Sequence, residues 1–118
     1  MSTTEKPIFD YNFFNNITEG DQEFTNELIE LFISSAGDQL LEIKKVADSE
    51  DSDSNAWHSA LHSLKGSCSS IGALKLAEFI IDNQNKDSKL TQEDRIKIHK
   101  EIAIMLDQTT SKMLELRS

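Results

Sequence analysis

Proline occurs once in 118 residues and glycine four times. A chain with so few backbone breakers lacks the turns a many-stranded β-fold requires, and it leans to an all-α protein. Cysteine occurs once, at Cys68, which excludes an intrachain disulfide and fits a reducing compartment. Basic residues are scarce, 12 against 21 acidic ones, and the net charge of −9 argues against nucleic acid and anionic membrane surfaces as partners. Long apolar runs are missing too. The longest is Ile102 to Leu106, far short of the roughly 20 residues of a membrane span. Met1 to Lys6 has no apolar signal core, so a cytoplasmic protein is expected. No Gly-x-x-x-x-Gly-Lys-Ser/Thr segment or other glycine-rich phosphate loop occurs, and the chain is too short for a kinase domain.

What remains supports one domain with a single modest core. Residues 1–7 read as a flexible polar tail and residues 8–118 as the domain. Ile8, Phe9, Tyr11, Phe13, Phe14 and Ile17 form an aromatic-rich stretch, expected to be a short helix begun by Asp10 that covers one end of a bundle. Gly20-Asp21 ends it and caps the next element. A helical pattern then runs from Asp21 to about Asp48, with Phe24, Leu28, Phe32, Ala36, Leu40 and Ile43 on the expected buried side. Gly37, inside it, is compatible with a slight bend or with close helix packing. Asp48 to Asn55 contains no apolar residue and reads as a loop. A helix is expected over Ser54 to Ile71 with Gly72 as its cap. A shorter one follows from Ala73 to about Asn85, with Leu76, Ala77, Ile80 and Ile81 inward. Asn83 to Ser88 is turn-like. Thr91-Gln92-Glu93-Asp94 has capping-box spacing. The last helix carries Ile98, Ile102, Met105, Leu106, Met113 and Leu116. The expected fold is an antiparallel four-helix bundle with a short additional N-terminal helix.

Chemistry concentrates between residues 54 and 72. Trp57, Leu61, Leu64, Cys68 and Ile71 are spaced four, three, four and three apart, the rhythm of one buried helix face. Cys68 on that stripe reads as a small core residue rather than a nucleophile. His62 is off the stripe and shares the opposite face with His58, Lys65, Gly66 and Ser69. Gly66 costs a helix interior about 1 kcal/mol relative to alanine, and in return it leaves bare backbone beside the imidazole. Lys65 sets a cation where an anion on His62 would lie. A nucleophilic ring, a cation and an open approach suit a transient phosphoryl group on histidine.

The run His62, Leu64, Lys65, Gly66, Ser67, Gly72 and Ala73 resembles the signature of histidine phosphotransfer (HPt) domains, with Leu61 standing where that family more often has a small residue. The resemblance extends to the bundle architecture. It implies a phosphorelay carrier: His62, through Nε2, accepts a phosphoryl group from a receiver-domain aspartyl phosphate and passes it to another receiver. Lys65 would offset the phosphoryl charge, Gly66 would admit the receiver, and Ser69 would be available for a hydrogen bond. No cofactor of its own is implied, and Mg²⁺ would sit on the receiver. The partners would be receiver domains of response regulators or of a hybrid sensor histidine kinase, met by a monomer.

Two other readings compete. His58 and His62, at i and i+4, have the spacing of two zinc ligands, but Ser59 stands where a His-Glu-x-x-His motif needs glutamate and no third ligand is evident. The other is an interaction module whose bundle grips a partner while His62 goes unused. In the carrier reading His58 is a bystander, and His99 is structural or solvated.

Overall fold

A computed structural model describes residues 6–50, 54–84, 86 and 90–117. Among them are five helices and no strand: α1 Tyr11–Thr18, α2 Gln22–Asp48, α3 Ser54–Ile71, α4 Leu74–Gln84 and α5 Gln92–Leu114. Parts of the expected N-terminal tail (1–5), acidic loop (51–53) and turn-like segment (85, 87 and 88) lie outside the described residues.

Side chains with oxygen acceptors set where the helices begin. Asp10 accepts from the N–H of Phe13 at 3.0 Å and Asp21 from that of Phe24 at 3.1 Å, each satisfying one of the orphan donors of a first turn. Thr91 and Asp94 close a reciprocal capping box at 3.0 and 3.1 Å, so the expectation for α5 holds with aspartate in the usual Glu/Gln place.

Helices α2 to α5 close into the expected four-helix bundle, each packed on the next and α5 returning to α2. They run antiparallel. The Gln92 amide at the start of α5 donates to the Asp48 carbonyl at the end of α2. At the other end Gln22 donates to the Leu116 carbonyl and Arg117 pairs with Glu30. The core between them holds Ile29, Phe32, Ala36 and Ile43 of α2, the α3 stripe, Leu76 and Ile80 of α4, and Ile102, Leu106 and Met113 of α5. Burying each large side chain contributes roughly 1.5–3 kcal/mol. No helix among the described residues is long and apolar enough to cross a membrane.

Two expected inward residues face out. Phe24 is 39% exposed. The buried stripe of α2 runs one residue later, through Thr25 and Ile29, and the Thr25 hydroxyl enters the core because it donates to the Asp21 carbonyl at 2.8 Å. Ile81 is 43% exposed, while Asn83 and Gln84 are buried. Their amides donate to the carbonyls of Phe79 and His58 at 2.8 and 3.3 Å, which removes most of the penalty of burying them. Gly37 has no atom within 4 Å of where a Cβ would lie, so close helix packing is not what it serves.

The α1 segment covers one end of the bundle, as expected. Phe9 is buried, edge-on to Tyr11 with centroids 5.0 Å apart, and 5.3 Å from Phe14. The chain before α1 is tied to the α3–α4 corner by Asp10 N–H to the Gly72 carbonyl at 2.9 Å and Lys75 N–H to the Pro7 carbonyl at 3.0 Å.

Candidate functional site on the outer face of α3

Helix α3 packs on both α2 and α4, so two of its flanks are covered and its apolar stripe fills the core. Trp57, Ala60, Leu61, Leu64, Cys68 and Ile71 are all buried. Burial pushes the Cys68 thiol up to about 12, leaving no thiolate for nucleophilic chemistry at neutral pH. The same periodicity that buries this stripe leaves the other face open. His58, His62, Gly66 and Ser69 are exposed on it and Lys65 is half-buried.

That face is prepared chiefly by what does not occupy it. A Cβ built on Gly66 meets nothing within 4 Å, so the fold gives no steric reason for glycine there. Lys65 forms no ion pair among the described residues, despite the acidic chain. It is half-buried, the intermediate exposure expected of a long side chain whose apolar stem can be covered while its tip stays wet. Neighbouring serines are engaged elsewhere. Ser63 and Ser70 donate to the carbonyls of Ser59 and Ser67 at 3.3 and 2.9 Å, and Ser67 donates to Gln39 Oε1 of α2 at 2.9 Å. The Ser69 hydroxyl has no partner among the described residues.

Two features were not foreseen from the sequence. First, the rings of His58 and His62 lie nearly parallel, 10° between planes and 6.4 Å between centroids. Among the described residues no group of three or more His, Cys, Asp or Glu side chains converges as a metal site. Second, the α2 flank carries two open grooves. One, of about 180 Å³, is lined by Asp38, Gln39, Glu42, Ala60 and Ser63. The other, of about 150 Å³, is lined by Leu28, Leu31, Phe32, Ser35, Ser67, Ser70 and Ile71. Leu31, 62% exposed, lies out of phase with the α2 core stripe, and that phase was the available signal.

His99 is elsewhere. It sits half-buried on α5. Burial lowers its imidazole below the ordinary 6.5, Lys44 adds to the lowering, Asp48 opposes it and Lys100 lowers it further. The Lys44–Asp48 pair beside it closes at 2.7 Å.

A family model described as the Hpt domain matches residues 27–111, most of the chain and all of α3. The chain belongs to the Hpt domain family. A curated relative, pseudo histidine-containing phosphotransfer protein 1 of Oryza sativa subsp. japonica, is 34% identical over 58 residues, which are 49% of this chain and 31% of that protein. The matched stretch thus spans less than a third of that relative's length. The crystal structure of the maize histidine-containing phosphotransfer protein ZmHP2 superposes with a TM-score of 0.72 at 20% identity, covering 92% of this chain and 84% of that one. The X-ray structure of a rice protein gives the same TM-score of 0.72 at 18% identity, over 92% and 81% of the two chains. At these identities the structural likeness establishes the fold alone.

Proposed function

We propose that this Hpt domain protein is a phosphorelay carrier whose phosphoryl-bearing group is His62, and that it acts without an ATP site or a cofactor of its own. The observation that carries the reading is the exposed imidazole beside a glycine that the fold does not need and a lysine with no ion-pair partner among the described residues. In the forward step the lone-pair nitrogen of His62 bonds to phosphorus as the bond to the aspartyl oxygen of a receiver breaks, leaving its electron pair on the carboxylate. The other ring nitrogen keeps its proton. The reverse step loads a second receiver. Such transfer depends on positioning and on offsetting charge over the phosphoryl oxygens. Lys65 supplies a positive charge, Gly66 the approach, and Ser69 a hydroxyl without a partner among the described residues. Mg²⁺ belongs to the receiver's acidic pocket.

The partners are receiver domains of response regulators or of a hybrid sensor kinase, meeting a monomeric carrier in the cytoplasm. A domain over residues 8–118 is supported by the packing of Ile8 and Phe9 against the core, although Pro7, expected in the tail, is already bonded to Lys75. The rice relative is named a pseudo phosphotransfer protein. In this chain histidine, lysine and glycine stand together on an open face, which favours the carrier over a module that only binds.

The test is transfer of labelled phosphate from a panel of phosphorylated receiver domains to the protein and to His62→Gln. Acid-labile, alkali-stable label on the wild type and none on the variant is the expected result. Equal label on both would remove His62 from the reaction. Receivers that bind in a pull-down yet transfer nothing would favour the binding module.

A further inference from the structure

The two imidazoles on the outer face of α3 form a pair. Their rings are 6.4 Å apart and within 10° of parallel, both are exposed, and neither side chain has a hydrogen-bond partner among the described residues. The His58 backbone is held where the Gln84 amide donates to its carbonyl at 3.3 Å, while its ring is exposed. Neutral imidazole always carries one N–H donor. A phosphoryl group on His62 projects acceptor oxygens beyond the ring edge. His58 lies one turn before His62 and Lys65 one turn after it, so donors on two neighbouring turns flank that group.

Resting on the carrier reading above, we propose that His58 binds the phosphoryl group on His62, its ring N–H donating to one of the phosphoryl oxygens. The consequence is a longer-lived phosphohistidine. In hydrolysis a water oxygen bonds to phosphorus as the P–N bond breaks, and the ring nitrogen leaves with the electron pair and takes up a proton. The transition state is loose, so phosphorus has already moved away from the ring nitrogen in it, and a hydrogen bond from His58 set to the intact phosphohistidine is lengthened there. A donor on those oxygens therefore stabilises the starting state more than the transition state and slows the loss.

The protein is loaded with phosphoramidate, a small phosphoryl donor that needs no receiver, and decay of the phosphohistidine is followed by ³¹P NMR at neutral pH. His58→Ala and His58→Phe should shorten the lifetime about two- to fivefold, the range for a charge-assisted hydrogen bond partly exposed to water. His58→Gln, which restores an N–H donor, should return it toward wild type. The His58 ring N–H of the wild type should also exchange more slowly with water once His62 is phosphorylated. A wild-type lifetime in His58→Phe, which keeps the aromatic ring without a donor, would overturn the proposal. So would equal decay in all three variants. Failure of His62 to take up phosphate at all would overturn the carrier reading itself. Loading at His62 with unchanged decay would overturn only the role of His58.

Discussion

Gly66 inside α3 and Gly72 just past its end stand six residues apart, both inside the run that resembles the HPt signature, and they are glycine for opposite reasons. Gly72 serves the fold. Its φ is +89°, in the left-handed range where a side chain is strained. The N–H of Ala73 reaches back to the Cys68 carbonyl at 2.9 Å, the long bond of a Schellman cap. A Cβ at Gly72 would lie 3.0 Å from the Phe13 ring and 3.2 Å from the Asp10 carbonyl oxygen. Gly66 has ordinary helical backbone and open space where its Cβ would be, so the folded chain alone would be better served by alanine. A glycine that a fold explains says little about function; one that it does not explain points outward.

The largest effect should come from Gly72→Ala. Left-handed strain together with the contacts on Phe13 and Asp10 should destabilise the domain by about 2–4 kcal/mol, read as a lower urea midpoint. Phe13 is exposed, so adding Phe13→Ala should recover part of the loss. A Gly72→Ala protein as stable as wild type would erase the contrast.

Gly66→Gln should show the reverse pattern. Stability should rise, by up to about 1 kcal/mol, while receiver-to-His62 transfer slows roughly tenfold or more because the long side chain displaces the docked partner. Unchanged transfer would mean the bare backbone is not an approach path. Lys65→Ala should be milder. Loss of one half-exposed cation should slow transfer or shorten the phosphohistidine lifetime about three- to tenfold, with little change in the urea midpoint. Kinetics identical to wild type would take Lys65 out of the site.

How far the sequence spoke for the structure follows the same division. The α3 stripe was readable residue by residue, because Trp57, Leu61, Leu64, Cys68 and Ile71 fit one helix phase and no other. The caps at Asp10, Asp21, Thr91 and Gly72 were readable because each residue type meets a specific backbone need. Phe24 and Ile81 were misplaced for a physical reason. Each sits near a helix end beside another residue suited to the core, and Thr25, Asn83 and Gln84 could go inward only because nearby carbonyls accept from them. Those partners are three-dimensional facts. The faces of His62, Lys65, Gly66 and Ser69 followed from periodicity, whereas the parallel setting of His58 on His62 and the grooves beside Leu31 and Gln39 depend on side-chain rotamers and on how α2 lies against α3.

The histidines repeat the contrast between the glycines, and they give the smallest effect. His99 is shaped by its packing: burial and the Lys44 ammonium lower its proton affinity below the ordinary 6.5, with Asp48 opposing and Lys100 adding a little. The sign follows from linkage. As pH falls through 6.5 the unfolded chain takes up this proton before the folded chain does, so the contribution of His99 is complete above 6.5 and is lost on acidification. His62 stands in the open, and a change there should act on chemistry instead of stability. Comparing thermal unfolding at pH 7.5 and 5.5, His99→Gln should flatten the wild-type fall by about one or two degrees, small because the ring is partly exposed and screened. His62→Gln should leave His99's share of the slope in place while abolishing phosphate uptake. Slopes that respond to His62 and not to His99 would mean that the imbalance between folded and unfolded states lies on the α3 face, and the separation of fold-serving from site-serving residues would have to be redrawn there.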